Sequence, residues 1–120
     1  MLELRGLQHV AVNATDLAAS RAFYVDVLGL VELDRPDFGF PGLWLGLPDG
    51  RAIHLVEVPH DAHTGYHFAL EVADVHAAVA ALRERGLDVG DAFELTTGSG
   101  LQAFLTDPSG NVVELNQPTA

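Results

Sequence analysis

Polar and apolar residues alternate through QHVAVNA at residues 8–14, and the pattern returns in YHFALEV at residues 66–72. Alternation of this kind predicts a half-buried strand, here over residues 6–13 and again over 66–72. After the first strand Asp16 stands where a helix N-cap is wanted, and Leu17, Phe23, Tyr24, Val27 and Leu28 have helical spacing. Gly29 follows as a left-handed terminator. Short apolar runs then predict strands over Leu30–Leu33, Leu43–Leu47 and Ile53–Val58, with Pro48-Asp49-Gly50 as a tight turn before the last. The second half repeats the order. Asp74 caps a helix with Val75, Val79 and Leu82 on one face, and Gly86 ends it. Strands are expected at 87–89, 101–105 and 112–116, the last preceded by the turn Asp107-Pro108-Ser109-Gly110.

The chain therefore reads as one β-α-β-β-β unit used twice. His9 falls on His67, 58 positions on, and His54 falls on Glu114, 60 positions on, so one small length change reconciles the two blocks. We take residues 1–120 as a single domain, with module 1 at about 5–58, module 2 at about 66–117 and a polar connector at 59–65.

Strand side chains alternate faces, and this sorts the chemistry. Val10 and Val12 would pack on the helix, which turns His9 and Ala11 the other way. Phe68, Leu70 and Val72 pack, and His67 and Ala69 oppose them. Ile53 and Leu55 leave His54 opposite, and Val113 and Leu115 leave Glu114 opposite. Three imidazoles and a carboxylate thus share the face without helices, with small alanines beside two of them. Such a nitrogen-and-oxygen set suits a divalent first-row ion, with Zn, Fe, Ni, Co and Mn all compatible. Any one of these histidines alone is more often a half-buried polar group than a ligand. Their equivalent positions in the repeat carry the metal reading.

Composition narrows the partners. The formal net charge is -11, from 17 acidic residues against 6 arginines and no lysine. A nucleic-acid binder needs a cationic face, and an anionic membrane surface would repel this chain. Without cysteine there is no disulfide, thiolate ligand or thiol nucleophile. No apolar stretch approaches the ~20 residues needed to cross a bilayer. The opening MLELRGLQHV carries charges where a signal peptide needs an apolar core, so a cytoplasmic location is expected.

QHVAVNATDLAASRAFYVDVLGL, AIHLVE, YHFALEVADV and FLTDPSGNVVELNQ together resemble the vicinal oxygen chelate superfamily, from Leu7 to Gln117. That superfamily includes glyoxalase I, extradiol dioxygenases, fosfomycin-resistance thiol transferases and bleomycin-resistance proteins. The resemblance implies an α+β fold in which two βαβββ modules form a cupped mixed sheet with helices on the outer face. It implies metal ligands at His9, His54, His67 and Glu114, the four already selected by strand face, with Glu114 as the catalytic residue. It implies a homodimer in which module 1 of one chain faces module 2 of the other, although assembly within one chain is also open. The expected activity is divalent-metal-dependent lyase, isomerase or dioxygenase chemistry on a small substrate bound through vicinal oxygens, with an enolate-like or oxyanionic intermediate. The alternative is a metal-free binding protein of the bleomycin-resistance type. Glyoxalase-I-like members usually carry glutamate where this chain has His54.

Weaker candidates surround the metal. Arg35 could offer the substrate a cation, or pair with Asp34 or Asp37 instead. Phe38, Phe40 and Trp44 could wall a cavity. Phe104 matches Trp44 in the repeat, so both line the cavity or both pack on the helices. His60, His63 and His76 read as solvated.

Overall fold

A computed structural model describes residues 3, 5–59, 67–94 and 100–119. The chain divides into two compact units, Met1–Asp61 and Ala62–Ala120. Residues 60–66, including His60, His63 and Tyr66, lie outside the described residues, as do 95–99.

Unit 1 contains β1 (His9–Ala14), α1 (Leu17–Arg21), a π-helical segment (Ala22–Val27), β2 (Val31–Leu33), β3 (Gly42–Gly46) and β4 (Ala52–Glu57). The sheet runs β1-β4-β3-β2. β1 and β4 are parallel, whereas β4–β3 and β3–β2 are antiparallel. α1 packs against β3 and β4. Val12, Leu45, Ile53 and Leu55 are buried together with Phe23, Tyr24 and Leu30, so the alternation read along β1 and β4 is realised. Each such side chain contributes about 1.5–3 kcal/mol by leaving water.

Two details differ from the sequence expectation. The first strand begins at His9 rather than residue 6. The helix does run from Leu17 towards Leu28, but its second half is wound as a π-helix, with the Leu28 N–H donating to the Phe23 carbonyl at 3.0 Å. The wider winding lets the adjacent Phe23 and Tyr24 both turn inward, edge-on with ring centroids 5.0 Å apart.

Unit 2 contains β5 (His67–Glu71), α2 (Val75–Glu84), β6 (Leu101–Thr106) and β7 (Val112–Gln117), with strand order β5-β7-β6. β5 and β7 are parallel, and β6 is antiparallel to β7. α2 packs against β6 and β7 through Val75, Val79 and Leu82. The strand expected at 87–89 is absent. Val89 is buried, and its carbonyl accepts from Arg83 Nε at 3.2 Å and Nη2 at 2.8 Å, which takes the acceptor a strand partner would have used. The chain meets β6 just beyond, where the Gly90 N–H donates to the Phe104 carbonyl at 3.0 Å and Phe93 and Gln102 exchange two backbone hydrogen bonds of 2.8 Å.

Both helix starts follow one rule. Asp16 and Asp74 cap as expected, accepting from Ala19 and Ala77 N–H at 3.0 and 3.1 Å. A second orphan donor in each first turn is met by the end of the unit's last strand. Leu17 N–H donates to Glu57 Oε2 at 3.1 Å, and Val75 N–H to Gln117 Oε1 at 2.9 Å. The helices end at Gly29 and Gly86, whose φ values of 86° and 84° are open to glycine without strain.

One polar atom fits this core poorly. Ser20 on α1 is fully buried, and its Oγ has no hydrogen-bond partner among the described residues. An unsatisfied buried hydroxyl costs about 1–3 kcal/mol. Ser20→Ala should therefore stabilise the protein by about 1 kcal/mol, read as a higher thermal midpoint and a higher urea midpoint at unchanged slope.

Candidate functional site

In each unit the parallel pairing of first and last strands sets the chemistry. In unit 1 the register places Ala11 beside His54, and in unit 2 it places Ala69 beside Glu114. A methyl group next to each donor leaves room above the sheet. The other donor of each pair, His9 or His67, stands two residues earlier on the same face of the first strand.

Unit 2 forms the tighter pair. His67 Nε2 lies 3.3 Å from Glu114 Oε1, and Asn116 Nδ2 donates to Glu114 Oε2 at 2.9 Å. Glu114 is only 7% exposed, so the carboxylate is oriented by protein groups rather than by bulk water. The 3.3 Å separation is that of an ion pair, at the long end of the range for an N–H···O hydrogen bond. It matches the spacing of two neighbouring ligands on one ion, which bond lengths of 2.0–2.2 Å put at roughly 2.9–3.4 Å apart. Phe104 faces Glu114 across the β6–β7 ladder and meets the His67 ring edge-on at 5.8 Å.

Unit 1 builds a stack instead. Because β4 lies between β1 and β3, His54 is held between His9 and Trp44. The His9 ring is 4.0 Å away at 15° and the Trp44 ring 4.4 Å away at 10°. His9 Nδ1 is also in contact with Gln8 Oε1. Burial, then the neighbouring His9 and the Arg35 cation, hold the His54 imidazole below its usual pKa, which favours the neutral, ligand-competent ring. Stacked rings carry their lone pairs in near-parallel planes. They converge on one ion only once the exposed His9 ring turns. Among the described residues, neither unit by itself gathers three or more donors of the kind that hold a metal.

Trp44 and Phe104 therefore lie on the donor face in both units, which resolves their alternative. Arg35 is not paired with Asp34 or Asp37. Its guanidinium carbon sits 4.9 Å from the Phe38 ring centroid and 5.1 Å from that of Phe40, while Asp37 Oδ1 accepts from Gly39 N–H at 2.9 Å. Arg35, Phe38 and Phe40, with Ala11, Trp44, His54, Leu55 and Val56, line a cavity of about 200 Å³. His76, on α2, is exposed as expected.

Two contributors escaped the sequence reading. Asn116 shares the face of Glu114 two residues later, and that period-two relation was a usable signal. Gly42 had none. A Cβ there would stand 2.5 Å from the Leu55 carbonyl oxygen and 2.9 Å from Arg35 Nη2.

The sequence profile described as the Glyoxalase/Bleomycin resistance protein/Dioxygenase superfamily matches residues 6–115. The chain belongs to that superfamily. It is 31% identical over 118 residues to a lactoylglutathione lyase of Haemophilus influenzae, covering 88% of this chain and 87% of the relative. It is 31% identical to the crystal structure of TnmS3, an antibiotic binding protein from Streptomyces sp. CB03234, with a TM-score of 0.77 over 99% of this chain and 100% of that one. The fosfomycin resistance protein FosX of Listeria monocytogenes, a variant of which was solved with Mn(II) and 1S,2S-dihydroxypropylphosphonic acid, shares the fold. Its TM-score is 0.79 at 19% identity, over 98% of this chain and 93% of that one. The α+β architecture with helices packed on one side of each sheet is the glyoxalase fold.

Gly42→Ala tests the packing beneath the cavity. The added methyl should cost about 1–3 kcal/mol through displacement of β4 backbone and Arg35. A lowered urea midpoint and an altered Trp44 emission spectrum would register the two displacements.

Proposed function

We propose that the chain is a divalent-metal-dependent enzyme of the glyoxalase superfamily, acting on a small substrate that presents two neighbouring oxygens. His9, His54, His67 and Glu114 would hold the ion, with the two donor pairs brought together in a homodimer. The observation that carries this reading is the His67–Glu114 pair, set at ligand spacing and braced by Asn116. The repeat supports it, because His9 and His54 occupy the equivalent strand positions in unit 1. When bound, the ion would supply Lewis-acid polarisation of the substrate oxygens.

The chain's own groups have distinct tasks in this scheme. His54, kept neutral first by burial and backed by the Trp44 ring, donates a lone pair and keeps its ring orientation. Asn116 holds Oε2 of Glu114, which leaves Oε1 as the oxygen that would ligate the ion and, once released from it, take up and return a substrate proton. Lyase, isomerase and dioxygenase chemistry all fit these tasks, and a cytoplasmic setting suits a chain free of cysteine.

A second reading has its own support. The identity with an antibiotic binding protein and the aromatic lining of the unit 1 cavity are what a metal-free binder of the bleomycin-resistance type would also present.

Elemental analysis of untagged protein reloaded with Zn, Fe, Ni, Co or Mn separates the two. The enzyme reading expects about one ion per chain, and less than about a tenth would overturn it. Asn116→Ala should weaken the metal by roughly 10–100-fold while the fold persists, as loss of a ligand-orienting partner does. Mixing His9→Ala/His54→Ala chains with His67→Ala/Glu114→Gln chains should restore one complete site per mixed dimer if the pairs meet across chains.

A further inference from the structure

We propose that the unit 1 cavity binds a monocyclic aromatic acid, its ring against Phe38, Phe40 and Trp44 and its anionic group on Arg35. This deepens the reading above by naming a ligand class. It rests on that reading only in taking the donor face as the ligand face.

Arg35 is the first observation. Arg5, Arg21 and Arg83 pair with Glu3, Glu32 and Asp91, and Arg51 donates to the Arg5 carbonyl. Arg35, like Arg85, has no carboxylate partner among the described residues, although Asp34 and Asp37 flank it in a chain of net charge -11, and Arg35 is the one of the two held over aromatic rings. It is held over two aromatic faces instead, and none of its five N–H donors meets an acceptor among the described residues. A guanidinium in this state is prepared for a planar oxyanion, which it can grip through two parallel hydrogen bonds.

The rings are the second. Phe38 and Phe40 are 50% and 47% exposed, and they stand in order. Their centroids are 5.9 Å apart at 21°, and Phe38 is 6.0 Å from Trp44. The three rings thus form one aromatic wall. Gly42 makes the place for the cation, since any larger residue would collide with Arg35 Nη2.

Size sets the class. The cavity of about 200 Å³ exceeds the ~150 Å³ that accommodates benzene and falls short of the ~300–1,000 Å³ of drug-sized pockets. One ring with a carboxylate fills it, and a fused polycycle would extend out of it. The negative field of the chain disfavours small anions that bring no ring. Neutral rings, in turn, leave Arg35 unmatched.

Trp44, the chain's one tryptophan, lies in the cavity wall and reports on binding. Metal-free and metal-loaded protein would each be titrated with benzoate, benzamide and acetate, following Trp44 emission, with calorimetry as a second readout. Benzoate should give a saturable change with a Kd of about 1 mM or below. Benzamide should bind at least about tenfold more weakly, and acetate should give no saturable change. Arg35→Gln should weaken benzoate by about tenfold and leave benzamide within about twofold. Phe38→Ala should weaken both. Equal binding of benzoate and benzamide, an Arg35→Gln variant that binds benzoate like the parent, or no saturable benzoate signal would overturn the proposal. Because the benzamide comparison uses unaltered protein, misfolding of a variant cannot hide the answer. Benzoate binding without metal uptake would sink the enzyme reading alone, and metal uptake without benzoate binding would sink this one alone.

Discussion

Each unit depends on a parallel pairing between its first and last strands. A parallel pair cannot be closed by a hairpin, so a helix and the intervening strands must form the crossover. That requirement puts the helix on one face and frees the other. It also fixes register, since a slip of one residue would send every side chain of a strand to the opposite face. With Val12 and Leu55 buried in one unit and Val113 and Leu115 in the other, apolar packing holds His54 and Glu114 on the open face. The last strand then ends where Glu57 or Gln117 can cap the crossover helix, so the pairing also helps position the element that spans it.

Having built the same frame twice, the chain furnishes it differently. Glu114 is accompanied by Asn116, an amide that satisfies one carboxylate oxygen, whereas the equivalent neighbour of His54 is Val56. A carboxylate taken out of water needs a donor more than a neutral imidazole that keeps part of its surface exposed. The facing residues follow suit. Trp44 lies flat on His54, and Phe104 meets His67 by its edge. Unit 2 is thereby arranged around a charge, and unit 1 around stacked π faces.

Much of this was legible in the sequence because it depends on alternation and punctuation. The strand faces, the two aspartate caps, the terminating glycines and the common face of His9, His54, His67 and Glu114 follow from local rules. Features that depend on side chains meeting across the fold were not legible. Arg83 reaching the Val89 carbonyl suppresses a strand that the local pattern supports. The π-helical winding comes from burying Phe23 and Tyr24 together, which helical spacing alone cannot anticipate. The flanking aspartates made an ion pair the natural expectation for Arg35, and the aromatic shelf takes the cation instead.

The acidity of the chain gives that last contact its weight. An exposed arginine beside two carboxylates would be largely neutralised, and screening would leave it about 0–1 kcal/mol of interaction. Held over Phe38 and Phe40, the guanidinium keeps its charge and its donors while its apolar faces are covered. The coulombic influence of Arg35 also reaches His54 and favours its neutral form. Burial and then His9 do more than Arg35 to lower the His54 pKa, so the cation adds to an effect that the fold already produces. Moving Arg35 onto Asp34 or Asp37 would weaken that addition and the cavity's cation together, which is why the glycine beneath it and the two phenylalanines beside it belong to the site as much as the donors do.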